Sequence, residues 1–145
     1  MEFKSKFFDQ LTTRELYEIV RSRTEIFLLE QNIICQDFDC VDYDALHCFI
    51  EDNDRVVAYL RAYRNEEGHI KIGRVLSLVH GQGLGLKLMN FAMPVIAEKF
   101  GKETVHINAQ SHAIGFYEKV GFVVTSEEFL EENVPHVAME YREET

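Results

Sequence analysis

Apolar positions along the chain change spacing several times, and each change predicts an element. Phe3 to Phe8 reads as an edge strand. Thr12-Thr13-Arg14-Glu15 has the form of a capping box, and behind it Leu16, Ile19, Val20 and Phe27 share one helical face that runs on into Leu28-Leu29-Glu30-Gln31. Ala45 to Glu51 and Arg55 to Arg64 read as strands joined by Asp52-Asn53-Asp54. Asn65-Glu66-Glu67-Gly68 then turns the chain into a third strand from Ile70 through Val79, which completes an antiparallel meander. Leu84 to Phe100 carries two apolar stripes, one of Leu84, Leu88, Phe91 and Val95 and one of Leu86, Met89, Met93, Ile96 and Phe100. Such a helix is covered on most sides. Pro94 lies inside it and predicts a kink. A strand at Val105 to Ala109, a short helix from Ala113 to Val120 ending at Gly121, and strands at Phe122 to Thr125 and His136 to Tyr141 complete the pattern.

Between the third strand and the long helix stands His80-Gly81-Gln82-Gly83-Leu84-Gly85-Leu86-Lys87. Glycine lets backbone approach a ligand closely, the first N–H groups of a helix lack partners within it, and the helix dipole is positive at that end. The segment therefore reads as a phosphate cradle. From Gly68 to Ala97 there is no Asp or Glu, although acids number 25 among 145 residues, and Lys71, Arg74 and Lys87 lie in that window. A dinucleotide fingerprint is excluded because the third glycine comes one position early and the preceding strand belongs to a hairpin. A P-loop is excluded because Lys87 has the wrong spacing and Leu88 supplies no hydroxyl.

Beyond the next strand lies Gln110-Ser111-His112-Ala113-Ile114-Gly115-Phe116-Tyr117-Glu118-Lys119-Val120-Gly121-Phe122. With the glycine loop it resembles the GCN5-related N-acetyltransferase (GNAT) superfamily, which pairs a [QR]-x-x-G-x-[GA] pyrophosphate loop with a downstream (N/Q)-x-x-A-x-x-x-Y-E-K-x-G-F segment. His80 stands where that family usually has Gln or Arg, and the stretch between Arg74 and the loop is about two residues shorter than usual. Glu30-Gln31, the Asp37, Asp39 and Asp42 run before His47, Gly73-Arg74-Val75, Ala109-Gln110 and Pro135-His136-Val137-Ala138-Met139 look like the ElaA-type branch.

The resemblance implies one α/β (α+β) domain over 1–145, with a mixed, mostly antiparallel central sheet flanked by helices. It implies an acetyl-CoA-dependent N-acyltransferase acting on a primary amine of a small molecule or peptide. A module that binds coenzyme A or acyl-CoA without catalysis is the alternative. His80, Gly81, Gln82, Gly83, Leu84, Gly85, Leu86 and Lys87 would hold the pyrophosphate. Backbone near Leu76, Ser77 and Leu78 would hold the thioester carbonyl, with Gln110 and Phe116 along the coenzyme. The Tyr117 hydroxyl would face the coenzyme sulfur and assist departure of the thiolate. No carboxylate stands near the end of the third strand, so His47, Glu30 and His136 are the candidates for the base. Glu30, Arg74 and His136 are also candidates for acceptor binding, Arg74 either pairing with an acid or meeting a substrate carboxylate.

Composition narrows the partners. Net charge is −10 without a basic stripe, which argues against nucleic acid and weakly favours a cationic acceptor. The run Asp37, Asp39, Asp42 and Asp44 has Val41 and Asp42 where a calcium loop needs its third ligand and its glycine, and it reads as a solvated acidic loop near the acceptor entrance. Metal is not expected. Cys35, Cys40 and Cys48 have neither disulfide nor zinc spacing and read as reduced, packed thiols. The opening residues resemble no signal peptide and no apolar run reaches membrane length, so the expected location is cytoplasmic. The excess apolar face of the Leu84 to Phe100 helix calls for a second helix or a homodimer, and the dimer is the expectation.

Overall fold

The computed structural model describes residues 1–142. Its strands are β1 (Glu2–Phe7), β2 (Leu46–Asp52), β3 (Arg55–Arg64), β4 (Ile70–Ser77), β5 (Val105–Gln110), β6 (Val123–Val124), β7 (Phe129–Glu131) and β8 (Val134–Tyr141). Three α-helices accompany them among the described residues, α1 (Thr13–Arg23), α2 (Leu84–Phe100) and α3 (Ile114–Val120). One sheet runs in the order β1-β2-β3-β4-β5-β8-β6, with β7 paired to the start of β8. Every pair is antiparallel except β4 with β5, which α2 joins as a crossover.

Two hairpins close through two-residue turns without glycine. Asn53 and Asp54 have φ of 51° and 64°, and Glu132 and Asn133 have φ of 50° and 61°. Both turns thus have the paired positive φ of a type I′ turn, which Asn and Asp tolerate. The second hairpin brings in β7, which the apolar pattern does not foretell.

The sheet is covered on both faces. Leu46, Cys48 and Ile50 face α2, where Leu84, Leu88, Met89, Ala92 and Ile96 are buried. The alternate residue Phe49 faces the other way, with Val56, Tyr59 and Leu76 under Ile19 and Ile26. Of the second stripe of α2, Met89, Met93 and Ile96 are buried and Phe100 meets Phe7 at 6.2 Å between ring centroids, while on the first stripe Phe91 meets Phe3 at 5.5 Å and α3 leans on the helix start. Much of the apolar face that pointed to a homodimer is thus covered within the chain. α2 also continues without interruption through Pro94.

At the start of α1 the capping box forms as predicted. Glu15 N–H donates to Thr12 Oγ1 at 3.0 Å and Thr12 N–H donates to Glu15 Oε1 at 2.8 Å, an arrangement that contributes about 1 kcal/mol. Lys4 and Lys6 reach the same carboxylate and tie β1 to the helix. At the far end the regular helix does not run to Gln31. Residues Thr24–Glu30 widen into a π-helical segment, closed by the Gln31 N–H on the Ile26 carbonyl at 2.9 Å. The wide turn keeps Ile26 in the core while Leu28 and Leu29 are exposed.

Candidate active site

The parallel pair β4/β5 holds for only three residues on each strand, ending at Ile72 opposite Ile107. Past that point β4 continues to Ser77 and β5 to Gln110 with no register between them. A bulge in β4 begins at the same place. β3 pairs Arg61 with Gly73 and then Tyr59 with Leu76, so Arg74 and Val75 stand opposite Leu60 alone, and Arg74 has φ of 55°. The two strands therefore fork. A cavity of about 560 Å³ occupies the fork, lined by Gly73, Arg74 and Val75 of β4, by Asn108 and Gln110 of β5, and by Tyr117 of α3.

The segment between the π-helical turn and β2 forms the wall on the β3/β4 side, and ion pairs pin it. Asp42 accepts from Arg23 at 2.8 Å and Arg61 at 3.0 Å, Asp39 takes Arg61 on both oxygens at 2.9 and 2.6 Å, and Asp37 accepts from Arg74 Nε at 2.9 Å. Burial works against ionisation of Asp39, but the Arg61 hydrogen bonds and charge outweigh it and hold the carboxyl at about 2. The predicted solvated acidic loop is instead a clasp of three aspartates on three arginines. Arg74 lines the cavity, yet its charge is spent on Asp37 rather than offered to a substrate.

The glycine loop follows β4 and opens α2. Gly81 and Gly83 have φ of 82° and 70°, conformations that favour glycine. The first backbone bond of the helix runs from Lys87 N–H to the Gly83 carbonyl at 3.1 Å, so the amides before it have no helical partner. Nothing lies within 4 Å of a Cβ built at either position. This open cradle of free donors fits a pyrophosphate. Gly85 serves differently, since its Cβ would stand 3.2 Å from Phe116 Cζ, which makes it the contact between α2 and α3. Phe116 is correspondingly half-buried against the helix.

Of the backbone expected to hold the carbonyl, Leu78 is corrected. Its N–H donates to the Val57 carbonyl at 2.8 Å and is not free. Because successive amides of a strand alternate sides, the Ser77 N–H turns away from β3 and toward the fork. The Leu76 side chain is buried beneath α1.

The candidates for the base separate. His47 is fully buried outside the cavity, its Nε2–H donating to the Asp42 carbonyl at 2.9 Å and its Nδ1 accepting from the Tyr59 hydroxyl at 2.6 Å. Burial lowers its basicity and both nitrogens are occupied, so it is removed from the catalytic set. Glu30 does not line the cavity. It ends the π-helical turn and lies 2.9 Å from Nε2 of His80 at the glycine loop, so the proposed base and the proposed phosphate residue contact each other. His136 lines the cavity, as do Tyr117 and Gln110. Tyr117 is 7% exposed, burial alone pushes its phenol up, and among the described residues its hydroxyl has no hydrogen-bond partner.

Several lining residues escaped the sequence reading. Glu131 and Glu132 enter through the β7/β8 hairpin, whose signal was an Asn at the turn without the usual following Gly. Lys71 and Tyr63 enter by alternation from strands that were predicted, but which face would be open was not. Cys35 is exposed and also lines the cavity, contrary to the packed thiol expected, while Cys48 is buried and its thiol pushed up to about 12.

Comparison with known proteins agrees with this geometry. The family model for the acetyltransferase (GNAT) domain matches residues 6–143. A UPF0039 protein of Schizosaccharomyces pombe is 33% identical over 96% of this chain and 95% of its own length. Protein ElaA of Escherichia coli is 29% identical over the same shares, and its crystal structure superimposes with a TM-score of 0.90 over 97% of this chain and 99% of that one. The crystal structure of an acyl-CoA N-acyltransferase from Pseudomonas aeruginosa, 33% identical, also gives a TM-score of 0.90 over 97% of this chain and 99% of that chain. The Tetrahymena GCN5 catalytic domain in complex with coenzyme A shares the fold at a TM-score of 0.71 and 16% identity. The chain thus belongs to the GNAT acetyltransferase domain family, as an ElaA-like member of it.

Proposed function

We propose that this protein transfers an acetyl group from acetyl-CoA directly to a primary amine of a small molecule or peptide. The family and fold support acyl transfer from coenzyme A in general. The observation that carries the finer reading is the forked β4/β5 pair, where an unpaired strand edge and the unpartnered Tyr117 hydroxyl share one cavity beside a loop of free amides.

Each part has a physical task. The amides from Gly81 to Leu86 bind the pyrophosphate at the positive end of α2, and Lys87, exposed in the first turn, adds charge. Bound acetyl-CoA supplies the acyl group and a thiolate leaving group. The Ser77 N–H offers a fixed donor for developing charge on the carbonyl oxygen. Tyr117, kept protonated by burial, gives a hydrogen bond or proton to the departing sulfur. The clasped wall of Asp37, Asp39 and Asp42 is neutralised by its arginines, whereas Glu132 on the opposite wall enters no ion pair among the described residues. That difference favours an amine over an anionic acceptor.

An acceptor screen with detection of free thiol and mass analysis of the product tests the reading. Thiol release that depends on amine and yields the acetylated amine is expected. Coenzyme binding with no acetylated product from any amine would instead leave a coenzyme-binding module.

A further inference from the structure

The His136 ring is held in one tautomer. Its Nδ1 lies 2.7 Å from the carbonyl oxygen of Val134, and a carbonyl only accepts, so Nδ1 carries the hydrogen and Nε2 carries the lone pair of the neutral ring. The residue is 6% exposed and lines the cavity, and its ring stacks on Phe129 with centroids 6.2 Å apart and planes at 24°. Nε2 is 3.5 Å from Oε2 of Glu131, too long for a hydrogen bond but close enough for the carboxylate charge to act on the ring. The Glu131 carboxylate is itself held, because its other oxygen accepts from Asn108 Nδ2 at 3.0 Å.

We infer that His136 Nε2 is the proton acceptor for the incoming amine, and that Glu131 is a positioning residue that stabilises the resulting imidazolium. The inference rests on the transfer reading above. Nε2 takes one proton from the acceptor ammonium, and the Glu131 carboxylate 3.5 Å away stabilises the charge this puts on the ring. The freed amine uses its lone pair to form the C–N bond as the C–S bond breaks with its electron pair on sulfur. The second nitrogen proton reaches the sulfur by way of the Tyr117 hydroxyl, and the imidazolium returns its proton to solvent. An ammonium and a thioester thus become an amide, a thiol and one proton.

Other groups at this place are differently engaged. Across β5 the register partner of His136 is the neutral Gln110, and on the turn after β5 His112 donates its Nε2–H to Gln110 Oε1 at 2.7 Å. Glu131 on β7 is the carboxylate nearest the ring, with Glu132 and Tyr117 elsewhere on the same cavity.

Two measurements decide the inference. Long-range proton–nitrogen NMR of the histidine-labelled protein above the imidazole titration range, with His136→Gln for assignment, is expected to show the Nδ1–H tautomer. An Nε2–H tautomer overturns the proposal without reference to any acceptor. With an acceptor in hand, His136→Gln is expected to lower kcat about 10²- to 10⁴-fold and remove the acidic limb of the kcat/KM profile, with coenzyme affinity kept. Glu131→Gln is expected to lower kcat less than His136→Gln does, with KM and coenzyme affinity kept, and Glu131→Asp is expected to restore part of the loss. Unaltered kcat in both His136→Gln and Glu131→Gln overturns the dyad while leaving acetyl transfer standing. Failure of the wild type on every amine counts against transfer itself, and the tautomer then decides the dyad alone.

Discussion

Nε2 of His80 lies 2.9 Å from Oε1 of Glu30, joining the end of the π-helical turn to the first residue of the glycine loop. The contact places a carboxylate beside a set of free amides suited to an anion. If the loop holds the coenzyme pyrophosphate as proposed, Glu30 opposes that guest rather than serving the acceptor in the cavity. Glu30→Gln is expected to tighten coenzyme A about two- to fivefold, the size of an exposed pair's effect, as read by calorimetry. Weaker binding would mean instead that the pair organises the loop.

The loop itself is tested at Gly83. Its φ of 70° is one that Asn and Asp tolerate, and a Cβ there meets nothing within 4 Å, so a side chain can be added without a clash. Coenzyme A at about 100 times its dissociation constant should stabilise the wild type by about 2.7 kcal/mol. Gly83→Asp should abolish that shift in melting temperature, and the near-isosteric Gly83→Asn should retain most of it. Equal shifts in the two variants would argue against an anion at this helix start. Gly85 is a less clean position for this probe, because a Cβ there would stand 3.2 Å from Phe116 Cζ and the ring would have to give by a few tenths of an ångström.

Acid should loosen the fold in a defined window. Asp39 and Glu15 are each held at about 2, burial opposing ionisation in both but being outweighed by Arg61 at Asp39 and by the Thr12 amide and two lysines at Glu15. Asp42 is lowered in the same sense by Arg23 and Arg61. A depressed carboxyl stabilises the fold fully above its unfolded value, and that stabilisation is lost as pH falls toward the folded one. Denaturant midpoints should therefore hold steady above about pH 5 and fall between about pH 4.5 and 2, the buried Glu15 contributing on the order of 2 kcal/mol and the solvent-screened Asp39 less. A flat midpoint across that window would show the pairs to be unimportant.

The clasp gives a sharper stability test at Asp42. Asp42→Ala leaves Arg23 and Arg61 buried without their shared partner, which should cost about 3 to 5 kcal/mol in chemical denaturation. A loss below about 1 kcal/mol would mean that the arginines find water or the remaining aspartates instead.

What the amino-acid pattern reveals here is set by the range of the interactions. α2 and β3 are readable to the residue because helical and alternating spacing are local properties, and the Gly81/Gly83 loop is readable because positive φ restricts residue choice locally. His47 was misplaced for the opposite reason. Its assignment depended on Tyr59 and the Asp42 carbonyl, partners that only the β2/β3 register and the pinned loop bring to it. β7 was missed because the Glu132-Asn133 turn lacks a glycine, and Glu131 was missed with it. The cavity was legible only as a resemblance, since the fork arises from where the β4/β5 pairing stops.

Acyl transfer in the fork, with Tyr117 assisting departure of the thiolate, is tested most directly by Tyr117→Phe. The substitution removes the unpartnered hydroxyl while the ring keeps its contacts with Phe116 and Phe122. Measured with a confirmed amine acceptor beside coenzyme A binding and melting temperature, turnover should fall about 10²- to 10⁴-fold while affinity and stability hold. Full turnover in a stable Tyr117→Phe protein would contradict the account.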